Sequence, residues 1–151
     1  MYKPWRDKNE PESVEKPQDV KDVLRILIVD DDTRFRVAKI LQTSGWVHTK
    51  LVKDIESMES PMLKDANIVF VDIQGVGKVL GFQEEGLGLA KAIKDKYPHK
   101  KLVIYSAETK GDRFHSALRD ADSFLNKNAD PYEFEQLVET FSEELLSEGK
   151  I

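Results

Sequence analysis

The chain has 151 residues, enough for one domain with a well-developed hydrophobic core. Its 23 basic and 28 acidic residues give a net charge of -5 and are interspersed along the chain, so we expect no nucleic-acid partner. The absence of cysteine excludes disulfides and thiolate sites, and no apolar run approaches the roughly 20 residues that cross a bilayer, so we expect no membrane insertion.

The chain is predicted to consist of a leader and one domain. Residues 1–23 are charged and contain Pro4, Pro11 and Pro17, without helical or strand periodicity, so we expect a mobile leader. Residues 24–148 are predicted to form the domain. The amino terminus lacks the apolar segment of a secretory signal, and the expected location is therefore the cytoplasm.

The first predicted strand, 24–29, is almost entirely apolar, which is typical of a strand buried on both faces of a parallel sheet. It ends at Asp30, Asp31 and Asp32. Crowded carboxylates resist joint ionisation, and a bound cation would relieve the repulsion. Capping of the following helix is the alternative for Asp30 and Asp31, and it is the interpretation we adopt for Asp32.

The next predicted elements are a helix over 33–44, a strand over 46–52 and a short helix over 54–63, whose end Pro61 disturbs. A third strand follows over 67–73. It contains the run IVFV and then Asp72, which places a carboxylate at the carboxyl end of a central strand, where open α/β sheets bind their ligands.

The glycine-rich segment after Asp72 matches no nucleotide-binding motif. Gly75, Gly77 and Gly81 have the spacing G-x-G-x-x-x-G, which is one residue too long for the dinucleotide fingerprint. A phosphate-binding P-loop would need glycine in place of Asp72 and Ser or Thr in place of Val79. A nucleotide site is therefore not expected.

The remaining predicted elements are a helix over 87–97, a strand over 101–107, a helix over 112–120, a strand over 122–126 and a helix opened by Asp130 and Pro131. Strand and helix thus alternate five times. This order predicts an α/β fold with a doubly wound, five-stranded parallel sheet and helices on both faces.

Four of the five predicted strands end in a side chain with chemical capacity. These residues are Asp30 and Asp31, Asp72, Ser106 and Lys127. Because the carboxyl ends of parallel strands share one face of the sheet, the five side chains are expected to converge. Carboxylates, a hydroxyl and an ammonium suit the handling of a phosphoryl group with Mg²⁺, with Asp72 as the nucleophile. Taken singly, each has an ordinary alternative as a cap or a solvated side chain.

The motifs ILIVDDD, VFVDI, VIYSA and FLNK, in this order and spacing, resemble a response regulator receiver domain of two-component signalling, of the stand-alone type, over about 25–144. The resemblance implies a flavodoxin-like strand order, 2-1-3-4-5. It also implies that Asp72 is the phosphorylated residue and a Mg²⁺ ligand. The other implied site residues are Asp30, Asp31 and the Gln74 backbone carbonyl as metal ligands, Ser106 and Lys127 at the phosphoryl group, and Ser106 with Phe124 as switch residues.

The resemblance also implies partners. The phosphodonor would be a sensor histidine kinase or a histidine phosphotransfer protein, and a downstream protein would bind the fourth helix, fifth strand and fifth helix, with onward relay or a homodimer as further outputs. Self-phosphorylation and autodephosphorylation are the chemistry implied, rather than that of a metabolic enzyme. Phe124 has an alternative reading as a core residue.

The sequence departs from the family after Asp72, where the usual Met-Pro pair is missing and the loop 75–86 is several residues longer. An interaction module that is not phosphorylated, a pseudo-receiver, therefore remains the alternative function. An aspartate-nucleophile phosphohydrolase is disfavoured, because its D-x-D-x-T or V motif would need Thr or Val where Arg34 stands.

Overall fold

A computed structural model describes residues 19–107 and 116–151 of the protein. Most of the predicted leader, 1–18, and the first part of the predicted fourth helix, 112–115, lie outside the described residues. The strands are β1 (Arg25–Val29), β2 (His48–Val52), β3 (Ile68–Asp72), β4 (Lys101–Ser106) and β5 (Ser123–Asn126). The helices are α1 (Val37–Thr43), α2 (Pro61–Asp65), α3 (Gly86–Lys96), α4 (Ser116–Asp120) and α5 (Pro131–Ser147), and a 3₁₀ turn (Val20–Asp22) precedes β1.

The five strands form one parallel sheet in the order β2-β1-β3-β4-β5. The predicted fold class and strand order are thus confirmed. β3 occupies the centre, and all five of its residues are buried. The register places Val29 beside Val71 and Asp72 beside Tyr105, so that β1, β3 and β4 end at the same rim of the sheet.

Within residues 19–107 and 116–151, the core consists of two apolar clusters, one on each face of the sheet. Alternate strand residues point to opposite faces, as Phe70 and Val69 do in β3. Residues of α1 and α5 cover the face of Phe70, and residues of α2, α3 and α4 cover the face of Val69. The prediction of helices on both faces is confirmed. Among the helices of the described residues, none combines the length and the apolar character needed to span a membrane.

The helix predicted over 54–63 is wrong. Residues 53–60 lack a helix, and α2 begins at Pro61, where the prediction had the helix ending. Proline has no N–H and a fixed φ, so it suits the first position of a helix, where the N–H has no intrahelical partner. Ser60 before it is extended, which is the conformation that proline imposes on its predecessor.

The interpretation of Asp32 as a helix cap is also wrong. α1 begins at Val37 and its cap position is Arg36, so the helix starts later than the predicted residue 33. The Asp32 carboxylate instead accepts the backbone N–H of Arg34 at 3.0 Å. Asp32 therefore stabilises a turn that precedes α1. In contrast, Asp130 caps α5 as predicted, with its carboxylate accepting the Tyr132 N–H.

Candidate functional site

Asp30 directly follows β1, and its carboxylate is fully buried at the rim of the sheet. Its Oδ2 accepts the hydroxyl proton of Tyr105 at 2.8 Å, and its Oδ1 accepts the Asp32 N–H at 2.8 Å. The Lys127 ammonium lies 3.0 Å from Oδ2. A buried carboxylate is tolerated only when it is paired and hydrogen-bonded, and these three contacts satisfy that requirement.

Asp72 ends β3 and is also buried. Lys127 Nζ lies 3.1 Å from its Oδ2, and the Gln74 N–H donates to its Oδ1 at 3.4 Å. Burial raises the pKa of Asp72 to about 6; the hydrogen bond from Lys127 acts in the opposite direction, and the neighbouring Asp30 carboxylate raises the pKa further. The ionised form of Asp72 is therefore costly in the protein alone and would be favoured by added positive charge.

Lys127 follows β5 and joins the two buried carboxylates. Burial lowers the pKa of its ammonium, but the hydrogen bonds to Asp30 and Asp72 outweigh burial, and the net pKa is raised. The backbone N–H of Lys127 donates to the Ser106 carbonyl at 2.8 Å, which ties the ends of β4 and β5 together. The ammonium also lies 5.3 Å from the centre of the Phe35 ring, within the range of a cation–π contact.

The carboxylates of Asp30, Asp31 and Asp72 form a group that fits a divalent cation. Each offers an oxygen, and these oxygens lie within 4.8 Å of one another; Asp31 is exposed and open to solvent. Three carboxylates beside the Lys127 ammonium leave an excess of negative charge. Mg²⁺ prefers oxygen ligands and binds through a few carboxylates together with water, so the donor set matches its chemistry. The Gln74 carbonyl as a further ligand stays a prediction.

Ser106 and Phe124 lie at different depths. Ser106 is the buried last residue of β4 and pairs in register with Asn126, the neighbour of Lys127, so it lies at the same rim. Phe124 pairs with Ile104 and is 45% exposed, so the reading of Phe124 as a core residue is wrong. The switching roles of Ser106 and Phe124 stay predictions.

The loop between β3 and α3, residues 73–85, is here called the acceptor loop. Gly86, the first residue after it, packs so closely that a side-chain carbon there would overlap the Asp72 carbonyl oxygen. Gly75 has φ +86°, and a side-chain carbon there would overlap the Asp31 carboxylate. The Gly75 N–H donates to the Glu85 carboxylate at 2.6 Å. Glycines are needed at such close approaches. The acceptor loop therefore packs directly against the group of acids.

The sequence correctly predicted which strand ends lie together at the site, but two side chains that contribute to it were not predicted. Tyr105 is buried, donates to Asp30, and stacks on Phe35 with ring centres 5.1 Å apart. A tyrosine in a buried strand needs a partner for its hydroxyl, and that requirement was the available signal. Asp54, which holds the acceptor loop, gave no signal, because its partners are backbone N–H groups distant in the chain.

No protein-family model matches the chain, and neither does any curated protein. Solved structures do match the chain. The chain is similar to a CheY-like receiver domain from Methanospirillum hungatei JF-1, with a TM-score of 0.65 and 20% identity over 83% of this chain and 98% of that one. It is similar to the receiver domain of NtrX from Brucella abortus, with a TM-score of 0.61 and 28% identity over 78% of this chain and 98% of that one.

A response regulator from Burkholderia pseudomallei, solved with a phosphorylated aspartic acid and a calcium ion, also matches. Its TM-score is 0.60, with 20% identity over 83% of this chain and 72% of that one. Sheet order, helix placement and these similarities agree, and the fold of the chain is that of CheY-like response regulator receiver domains. The predicted resemblance is confirmed.

Proposed function

We propose that the chain is a Mg²⁺-dependent, phospho-accepting signalling domain. Asp72 would take a phosphoryl group from a phosphohistidine of a sensor histidine kinase or histidine phosphotransfer protein. The observation that carries the proposal is the convergence of Asp30, Asp31, Asp72 and Lys127 at one rim of a receiver-type sheet. The Burkholderia regulator supports it, because that protein has the same fold with a phosphorylated aspartic acid and a bound divalent cation.

The site residues divide the chemistry among them. An Asp72 carboxylate oxygen would attack phosphorus, so that a P–O bond forms while the P–N bond breaks and the imidazole leaves with the electron pair. Lys127, already 3.1 Å from Asp72, would offset negative charge on the phosphoryl oxygens, and the Ser106 hydroxyl would donate a hydrogen bond. Mg²⁺, held by Asp30, Asp31, Asp72 and the Gln74 carbonyl, would supply further charge neutralisation.

The proposed output is a change in protein contacts at the surface of α4, β5 and α5. Two aromatic side chains there, Phe124 and Tyr132, are 45% and 60% exposed. Exposed aromatic residues are enriched where proteins bind one another. A downstream protein, a second copy of the chain or a relay partner would bind this surface, and we place the reaction in the cytoplasm with its kinase.

The direct test is phosphorylation by a small phosphodonor. The chain is incubated with acetyl phosphate and Mg²⁺, and intact mass spectrometry measures the addition of one phosphoryl group. We expect labelling of the wild type, loss of labelling in Asp72→Asn and after chelation of Mg²⁺, and normal labelling in Asp65→Asn, which changes an exposed aspartate of α2. Circular dichroism verifies that each variant is folded.

The same experiment separates the proposal from the pseudo-receiver. A folded wild-type chain that gains no phosphoryl group from acetyl phosphate, nor from a phosphorylated histidine phosphotransfer domain, would be an interaction module. Labelling that persists in Asp72→Asn would show that another residue is the acceptor, and would contradict the assignment of Asp72.

A further inference from the structure

Asp54 lies two residues after the end of β2, and its side chain binds a row of backbone N–H groups. Oδ1 accepts the N–H of Gly77 at 2.7 Å and of Ile55 at 2.8 Å. Oδ2 accepts the N–H of Lys78 at 3.0 Å and of Val79 at 3.1 Å. Three consecutive N–H groups of the acceptor loop thus point at one carboxylate from a different part of the chain.

A carboxylate is the side chain that this arrangement requires. Gly77 is buried and has φ +79°, and a side-chain carbon there would overlap the Glu85 carbonyl, so the turn can form only with glycine. The N–H groups of such a turn form a concave site for an anion. Two ionised oxygens can serve all three N–H groups at once, whereas an amide would present one oxygen and one donor.

The part of the acceptor loop that Asp54 binds is close in sequence to Asp72. Only a short stretch of chain separates Asp72 from Gly77, and within it Gly75 lies against the Asp31 carboxylate. A shift of Gly77 would therefore be transmitted to Gly75 and to the surroundings of Asp31. The other end of the loop is fixed as well, because the Gly86 N–H donates to the Ile73 carbonyl at 2.9 Å.

Apolar burial also holds the acceptor loop. Ile55 and Val76 are both buried and belong to the same cluster, on the face of the sheet that α3 covers. The loop is thus anchored in the core through Val76 as well as by the Asp54 hydrogen bonds, and burial of Val76 in this cluster does not depend on the carboxylate. We therefore expect a variant without the carboxylate to fold, with a loosened rather than a lost loop.

We propose that Asp54 is a positioning residue for the acceptor site, which keeps the acceptor loop against Asp31 and so preforms the cation site. The proposal rests on the proposed function, since it assigns Asp54 a role in Mg²⁺ binding. It also couples the segment 53–60 to the site, because any movement of Asp54 would reach the acceptor loop. Asp54 itself touches neither the cation nor the phosphoryl group in this account.

The test compares Asp54→Asn with Glu56→Gln, which neutralises an exposed carboxylate on the same segment. Hydrogen exchange should quicken roughly tenfold over the three residues 77–79 in Asp54→Asn alone, because the asparagine has one uncharged acceptor oxygen where the aspartate has two charged ones. Calorimetric titration of the unphosphorylated chain should show Mg²⁺ binding weakened about tenfold in Asp54→Asn, which is typical when a residue that orients metal ligands is changed. Glu56→Gln should match the wild type in both measurements.

Faster exchange with unchanged Mg²⁺ affinity would overturn the proposal, because Asp54 would then only anchor the loop. Unchanged exchange would overturn it too, since the hydrogen bonds would contribute nothing. A wild-type chain that binds no Mg²⁺ would instead refute the proposed function, and the role of Asp54 with it. If the wild type binds Mg²⁺ and both variants bind it with the same affinity as the wild type, the role of Asp54 is refuted while the proposed function stands.

Discussion

We expect the substitution Asp72→Asn to stabilise the protein in the absence of a divalent cation. Asp72 is buried and lies near the Asp30 carboxylate, and Lys127 is shared between the two. Asparagine has nearly the same shape and still offers an oxygen to Lys127, but it carries no charge. The substitution would thus increase stability, because it removes a buried negative charge that shares its one ammonium partner with Asp30.

The pKa of Asp72 gives the size of the effect. It rises from its ordinary 3.8 to about 6 in the folded protein. Each pKa unit corresponds to about 1.4 kcal/mol, so the difference amounts to about 3 kcal/mol, which solvent at the open rim reduces to about 2 kcal/mol. Because the folded pKa is the higher one, the cost of ionising Asp72 is fully present above pH 6 and shrinks as the pH falls toward 3.8.

Urea denaturation with a chelator measures the free energy of unfolding. Asp72→Asn should exceed the wild type by about 2 kcal/mol near pH 7.5, and the gain should fall to less than half near pH 4.5. Mg²⁺ should stabilise the wild type more than the variant. The control Asp65→Asn should change stability by less than about 0.5 kcal/mol. A variant no more stable than the wild type at neutral pH, or a gain independent of pH, would refute the reasoning.

Three further substitutions test the packing around the site. Tyr105→Phe keeps the ring but removes the hydroxyl that donates to Asp30, and should lower the free energy of unfolding by about 1–3 kcal/mol in urea denaturation, because a buried carboxylate loses a donor; an unchanged midpoint would show that water replaces the hydroxyl. Gly86→Ala should cost more than about 2 kcal/mol, because the added carbon would overlap the Asp72 backbone. Gly81→Ala is the matched control, because a side-chain carbon at Gly81 would meet no atom within 4 Å. Since φ there is +83°, it should cost only about 1 kcal/mol of backbone strain. Equal melting temperatures of the two glycine variants would contradict the close packing at Gly86.

The fold was predictable because its signals are local. Continuous apolar runs such as the one in β3 mark strands buried on both faces, and their alternation with helical periodicity leaves a parallel sheet as the simplest arrangement. The errors fell where one residue type suits two positions. Pro61 is compatible with the start of a helix or a disturbance at its end, and Asp32 with a helix cap or a turn.

The sequence by itself determined that Asp30, Asp72, Ser106 and Lys127 stand at strand ends, and parallel strands bring such ends to one rim. Only the tertiary structure decided which side chains meet there. Tyr105 reaches Asp30 across 75 positions of the chain, and Asp54 holds Gly77 across 23. Periodicity indicates the face on which a residue is buried, but its partner is chosen by strand register and loop path, which depend on the packing of the whole domain.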